Sequence, residues 1–157
     1  RTVVRAGTSR RSLSAAALRG DVGFAASQTG GFVFPEFLAS YDAVMTLGML
    51  LKMLDRLGTT LGEVVEALPG FHLRHASVPC PFERKGAVMR TMAELGQDRE
   101  VEMTEGIRVP EEGGWALVLP HASEAIVEVF SEGDTEERAQ DIIARYMALV
   151  DRAIAEG

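Results

Sequence analysis

A single cysteine, Cys80, is all the sequence holds, so no disulfide can form within the chain. That suits a reducing compartment, and we expect the cytoplasm. Long apolar runs are missing too. The longest, Ala43 to Leu51, is interrupted by Thr46 and stops at Lys52, too short to span a bilayer, so no membrane partner is expected. Neither an initiator methionine nor a signal-peptide apolar region opens the chain. Arg1-Thr-Val-Val-Arg5 starts directly in a strand-like pattern, and we expect further residues upstream. Basic charge is scarce: 16 Lys and Arg stand against 23 Asp and Glu, a formal net charge of −7. Nucleic acid is therefore a poor partner, because phosphate contacts need a basic face. A local pocket can still attract a small anion. No Gly-Lys-Ser/Thr loop and no Gly-x-Gly-x-x-Gly occur, so nucleotide binding by those routes is unsupported.

The remaining composition, 46% hydrophobic and 25% charged over 157 residues, is that of a folded globular chain. Local patterns divide it in two. In the first half, Thr2 to Ala6, Val22 to Ala26 and Phe32 to Phe34 read as strands, and Leu13 to Arg19 as an Ala-rich helix ended by Gly20. Asp42 is placed to cap a helix over Ala43 to Leu57, with Val44, Leu47, Leu50, Leu51 and Leu54 at helical spacing and Gly58 as its stop. Thr59 opens a second helix, Leu61 to Leu68, with Glu63 positioned to reach back to the cap. Pro69-Gly70 is the clearest linker signal, giving expected domains at 1–69 and 70–157. The second half reads β-α-β-β-β-α: strand Phe71 to Val78, helix Phe82 to Leu95, strand Val101 to Val109, a turn at Glu112-Gly113-Gly114, strands Trp115 to Leu119 and Ala125 to Phe130, and a helix capped by Asp134 or Thr135 and running to Glu156. The expected fold class is α+β: the end of an α/β domain, then a small antiparallel sheet covered by helices.

Three loops could carry chemistry. Ala26-Ser27-Gln28-Thr29-Gly30-Gly31 combines adjacent glycines with side chains suited to sugar hydroxyls, and it also reads as a polar hairpin turn. Pro120-His121-Ala122-Ser123-Glu124 could form a nest of amides and a hydroxyl for an anion, or simply connect two strands. Glu105-Gly106-Ile107-Arg108 allows a bulge that would present Arg108 to phosphate, or a strand with one solvated charge. His72 and His75 point to opposite faces of a strand and have no metal-spaced companions. Cys80 lies between two prolines without a base, which makes a nucleophile unexpected.

Taken in order, these loops resemble the α-D-phosphohexomutase family, which includes phosphomannomutase and phosphoglucomutase. Family members have four domains. The third ends in a strand, a Gly-Glu-x-Ser-Gly-Gly/His sugar loop, another strand and two helices. The fourth is a small α+β domain with an Arg-Pro-Ser-Gly-Thr-Glu-Pro phosphate clamp. Gly30-Gly31-Phe32-Val33-Phe34-Pro35 and Tyr41-Asp42-Ala43-Val44 look like the segment after the sugar loop. Glu105-Gly106-Ile107-Arg108 looks like Asp-Gly-Val/Ile-Arg/Lys, and Trp115-Ala-Leu-Val-Leu119 looks like the strand entering the clamp.

The resemblance implies that 1–69 is the C-terminal part of the third domain and 70–157 the fourth. Carried over residue by residue, the sugar-loop Glu falls on Ser27 and its Ser on Thr29. The clamp Arg falls on Leu119, its first Ser on His121, its Gly on Ala122 and its Thr on Ser123, while Pro120 and Glu124 are unchanged. Arg5 and Arg11 match the Arg and Lys of an upstream Arg-Thr-Pro-Val-Gly-x-Lys segment. Ser27 is too short and neutral to replace a glutamate. Losing the clamp Arg removes a bidentate contact of roughly 1.5–3 kcal/mol. The implied binding set is Arg11, Ser27, Gln28, Thr29, Arg108, His121, Ser123 and Glu124, with hexose phosphate as the partner. No residue here is a catalytic or metal ligand on this reading, since the family's phosphoserine and magnesium loops belong to the first two domains. Magnesium is expected upstream if the parent is an active mutase. The parent would be a phosphohexomutase moving phosphate between C1 and C6 of a hexose, this segment alone not being catalytic. The alternative is a degenerate mutase-like regulatory or assembly region of a sugar nucleotidyltransferase such as mannose-1-phosphate guanylyltransferase. Whether the chain forms a homo-oligomer is left open.

Overall fold

The computed structural model describes residues 2–7, 9–27, 30–95 and 101–157. The chain divides into two compact units, Arg1–Pro69 and Gly70–Gly157. The mixed α+β class expected from the sequence is the class observed.

In the first unit, helix α1 (Arg10–Ala17) is capped by the Ser9 hydroxyl, which accepts from the Ser12 amide. It packs on a three-stranded antiparallel sheet of β1 (Ala25–Ala26), β2 (Phe32–Phe34) and β3 (Leu38–Tyr41), in that order. Leu13, Ala17 and Val33 form a small buried core. The expected strand over Thr2 to Ala6 is absent. β-branched residues favour a strand only where a neighbour supplies a ladder, and no described strand pairs with this stretch. Strand β3 was not foreseen: four residues without alternation give little signal, and a register shift between Val33 and Phe34 joins them to β2.

Helix α2 (Ala43–Leu57) has the expected bounds, with the Asp42 carboxylate accepting from the Met45 amide and Gly58 closing it at φ 62°. Helix α3 (Leu61–Glu66) is capped by Thr60, one residue after Thr59. Glu63 completes the capping box. Hydrogen bonds from the Thr60 amide, then from the Thr59 and Thr60 hydroxyls, hold the Glu63 carboxyl below its ordinary value. Neither helix has a buried residue, and Val44, Leu47, Leu51 and Leu57 are exposed.

The second unit is built on a four-stranded antiparallel sheet ordered β4-β7-β6-β5, with β4 at His72–Pro79, β5 at Ile107–Glu111, β6 at Gly114–Pro120 and β7 at Ile126–Gly133. Helix α4 (Phe82–Leu95) carries the chain from one edge strand to the other. Helix α5 (Glu136–Glu156) returns over the same face, capped by the Thr135 hydroxyl. Ala139, Ile142, Ile143, Tyr146, Val150 and Ala153 recur at helical spacing and are buried against Val78, Val109, Val118, Val127 and Val129. The strand expected from Val101 is shorter. Glu102 instead bridges back to Arg108, and only Ile107–Glu111 joins the sheet. Gly106 explains the sharp return: a Cβ there would meet Leu119 Cα at 3.0 Å. At the other end of β6, Gly113 at φ 71° makes the expected hairpin turn.

Gly133, the last residue of β7, lies directly under the start of α5. A Cβ there would meet Thr135 O at 2.9 Å and Ala139 Cα at 3.0 Å, both backbone atoms. Gly133→Ala is expected to lower the unfolding free energy by about 1–3 kcal/mol, read from denaturant titration. A loss below about 0.5 kcal/mol would show that α5 can move aside freely.

Candidate functional site

The sheet of the second unit has two unlike faces. Residues at alternate positions, such as Val127, Val129 and Ser131 on β7, are buried under α4 and α5. The intervening ones form the other face, and the pairing register sets them in rows across the strands. Arg108, Leu117, Phe130 and His75 make one row, and Leu119, Glu128 and Ser77 the next. Glu128 gathers the polar groups of this face. It pairs with His75 Nε2 and accepts from Ser77 Oγ at 2.8 Å, while the His75 ring stacks on Phe130 at 4.4 Å between centroids. Partial burial pushes the Glu128 carboxyl up. The hydrogen bonds from His75 and Ser77 and the fields of His75 and His121 outweigh that, and the net shift is downward.

Beyond this row lies the loop joining β6 to β7, residues 121–125. Its peptide groups are set by three contacts. His121 N donates to Ile126 O at 3.2 Å, Glu124 N donates to His121 Nδ1 at 3.0 Å, and Cys80 N donates to Ala125 O at 2.8 Å. From α4, Lys85 Nζ donates to both His121 O and Glu124 O. Among the described residues, the N–H groups of Ala122 and Ser123 and the Ser123 hydroxyl meet no internal partner. Both residues are exposed. Free donors of this kind on a short loop, where they outnumber the equally unpartnered Ala122 and Ser123 carbonyls, are chemically suited to an oxyanion.

The binding residues inferred from the sequence fall out unevenly. His121, Ser123 and Glu124 share this loop, but His121 works inward. Its Nδ1 is an acceptor for the loop, so the proton of the neutral ring sits on Nε2, 3.8 Å from Glu124 Oε1. Arg108 is elsewhere. It stacks over Trp115 at 4.5 Å and pairs with Glu102 at 3.6 Å. It sits opposite Leu117, four residues short of His121 along β6, or roughly 13 Å by strand rise. No bulge presents it to the loop. Leu119, at the clamp-arginine position, is half-buried opposite Glu128.

In the first unit, Ser27 closes its own loop: its amide donates to Gly31 O at 2.8 Å and its hydroxyl accepts from Gly31 N at 3.1 Å. Gln28 and Thr29 lie outside the described residues. Arg11 is exposed in the first turn of α1. Its neighbour Arg10 instead reaches an open groove of about 430 Å³ lined by Gly30, Gly31, Tyr41, Asp42 and Thr46, with its guanidinium 5.7 Å from the Tyr41 ring centre. Arg10, Tyr41, Lys85 and the Glu128 cluster were not singled out from the sequence. Their partners are distant in the chain, and of these groups only His75 was weighed from the sequence, as a histidine without metal-spaced companions. Cys80 is buried, and burial raises its thiol above the ordinary value, in keeping with an inert side chain. Among the described residues, no group of three or more His, Cys, Asp or Glu could hold a metal ion, and no helix is long and apolar enough to cross a membrane.

Comparison with known proteins places this architecture. No family model matches the chain. It is 31% identical over 138 residues to the phosphopentomutase of Thermococcus kodakarensis, covering 83% of this chain and 30% of that protein. It is 26% identical over 129 residues to a phosphoglucomutase/phosphomannomutase of the same organism, covering 81% and 28%. A phosphoglucomutase/phosphomannomutase family protein of Burkholderia thailandensis has a solved structure that superposes with a TM-score of 0.71 at 17% identity, over 93% of this chain and 31% of that one. The chain thus spans about 30% of the length of the curated relatives it matches. The resemblance drawn from the sequence stands: this is a mutase-like segment corresponding to the C-terminal portion of phosphohexomutase-family proteins.

The Glu128 cluster yields a pH test. A carboxyl whose folded pKa is depressed adds stability above its unfolded value, and that stability is lost as the pH falls through the folded value. Glu128→Gln is therefore expected to lower the unfolding free energy at pH 7 by about 1 kcal/mol. The gap to the parent should close as the pH drops below about 4.3, the ordinary glutamate value. A gap that stays constant from pH 7 to pH 3 would show that the carboxylate charge contributes nothing.

Proposed function

We propose that the segment supplies sugar-phosphate binding to a phosphohexomutase-like protein and does not itself transfer phosphate. On this reading Arg1–Pro69 is the end of the third domain and Gly70–Gly157 the fourth. The observation that carries it is the loop at 121–125, whose unpaired amides and Ser123 hydroxyl sit between β6 and β7, where the family resemblance puts the phosphate clamp. Two oxygens of a phosphate could take the amides and a third the Ser123 hydroxyl. Glu124, across from His121 Nε2, is placed to limit how much negative charge the site accepts. The relatives reported above are named for pentose and for hexose phosphates. The ligand class is therefore a sugar phosphate in which the phosphate is the common element. The first unit holds a groove of its own, lined by Arg10, Tyr41 and the Gly30-Gly31 pair.

The departures from the family pattern set the expected strength. Leu119 brings no guanidinium, and Ser27 spends its hydroxyl within its own loop. Binding is expected to be weak, in the millimolar range, or about −4 kcal/mol. Magnesium, if the whole protein uses it, would be held outside these residues. The reported relatives are mutases, and no observation favours the nucleotidyltransferase alternative.

Calorimetric titration with mannose 1-phosphate, glucose 6-phosphate and ribose 5-phosphate tests the proposal. Millimolar binding of at least one, lost in Ser123→Pro (which removes both the hydroxyl and an amide donor), is expected. Absence of heat for all three at 10-fold higher concentration than about 1 mM would overturn it.

A further inference from the structure

We propose that Lys85 is the positioning cation of the 121–125 loop, the residue that turns its amides toward an anion. This rests on the reading of that loop as an anion site. Lys85 lies one turn into α4, outside each motif that carried the family resemblance. Its ammonium nevertheless reaches His121 O and Glu124 O, each at 2.5 Å, and stands 4.3 Å from the centre of the Phe82 ring.

The consequence follows from peptide geometry. A trans peptide is planar, and its C=O and N–H point in opposite directions. The chain has no cis peptide bond among the described residues. Drawing the His121 and Glu124 carbonyls onto one ammonium therefore turns the Ala122 and Ala125 N–H groups away from α4. Two peptide units, one at each end of the loop, are fixed by one charge. Between them the Ser123 hydroxyl and amide ride at the exposed apex. The His121 ring, by accepting from Glu124 N, keeps that third amide out of the way. A carbonyl bonded to a cation also polarises its own peptide, which strengthens the N–H on the far side as a donor.

The arrangement offsets a specific loss. A clamp arginine would meet phosphate directly, and its position is taken by Leu119, half-buried against the sheet. Lys85 stands behind the loop and makes no direct contact with a ligand on the other side. It acts through two peptides. The charge is thus transmitted as oriented dipoles, which select for shape and for a small oxyanion over a bulky one. A methionine at position 85 would keep the packing against Phe82 and lose both carbonyl bonds. An arginine would keep the charge and can still donate to two carbonyls.

The test uses the whole 157-residue chain with inorganic phosphate as the probe. Lys85→Met is expected to bind phosphate about tenfold more weakly than the parent, and Lys85→Arg within about threefold of it. In phosphate-free samples, the backbone heteronuclear NOE of Ala122, Ser123 and Ala125 should fall in Lys85→Met and recover in Lys85→Arg, with the core strands unchanged. If the parent binds phosphate and Lys85→Met binds it within twofold, the positioning role is overturned while the anion site stands. If the parent binds no phosphate, the anion site is overturned. The NOE comparison then decides the ordering role alone, and unchanged values in Lys85→Met would overturn that as well.

Discussion

The second unit depends on the alternation of one strand. β7 pairs with β4 along one edge and β6 along the other, and its side chains go by turns to two different environments. Val127, Val129 and Ser131 are buried beneath the helices, and the Ser131 hydroxyl is satisfied by Ala139 O at 2.7 Å. Glu128 and Phe130 face the other way and order His75 and Ser77 around them. A one-residue slip would bury Glu128 and expose the valines, so the register of β7 fixes the whole polar face. It also fixes where the 121–125 loop emerges, since Pro120 is held opposite Val127.

The loop at 121–125 is held by contacts from within and from its neighbours. Five contacts take up its polar groups: His121 N on Ile126 O, Ala125 O accepting from Cys80 N, Glu124 N on His121 Nδ1, and the His121 and Glu124 carbonyls on Lys85. Among the described residues, the amides of Ala122 and Ser123 and the Ser123 hydroxyl are left without an internal partner, on exposed residues. By accepting from Glu124 N through Nδ1, the His121 ring acts as part of the frame. In the first unit, likewise, the Ser27 hydroxyl is taken up within its own loop, accepting from Gly31 N.

Much of this was legible in the sequence. Asp42, Thr135, Gly58 and the Glu112-Gly113 turn marked element ends correctly because capping and positive φ are local requirements. The β-α-β-β-β-α order was legible for the same reason, with valine-rich strands alternating with helical spacing. Strand-like composition at Thr2 to Ala6 misled, because a strand needs a neighbour that local pattern does not reveal. Gly106, read as allowing either a bulge or a plain strand, is a close approach to Leu119. In the loop at 121–125, His121, Ser123 and Glu124 were singled out through their place between two strands. Lys85 was not, because its partners lie 36 and 39 residues further along. Nor could periodicity say that α2 presents an apolar stripe with no buried residue within the chain.

The most direct test of the central claim is a residue-resolved one. Amide chemical shifts of the parent chain, followed as inorganic phosphate is added, report which N–H groups meet the anion. Saturable downfield shifts at Ala122, Ser123 and Ala125, with Arg108 and the Glu128 row unmoved, are predicted. Saturable shifts centred on Arg108 and Trp115 instead, with the loop amides silent, would contradict the account.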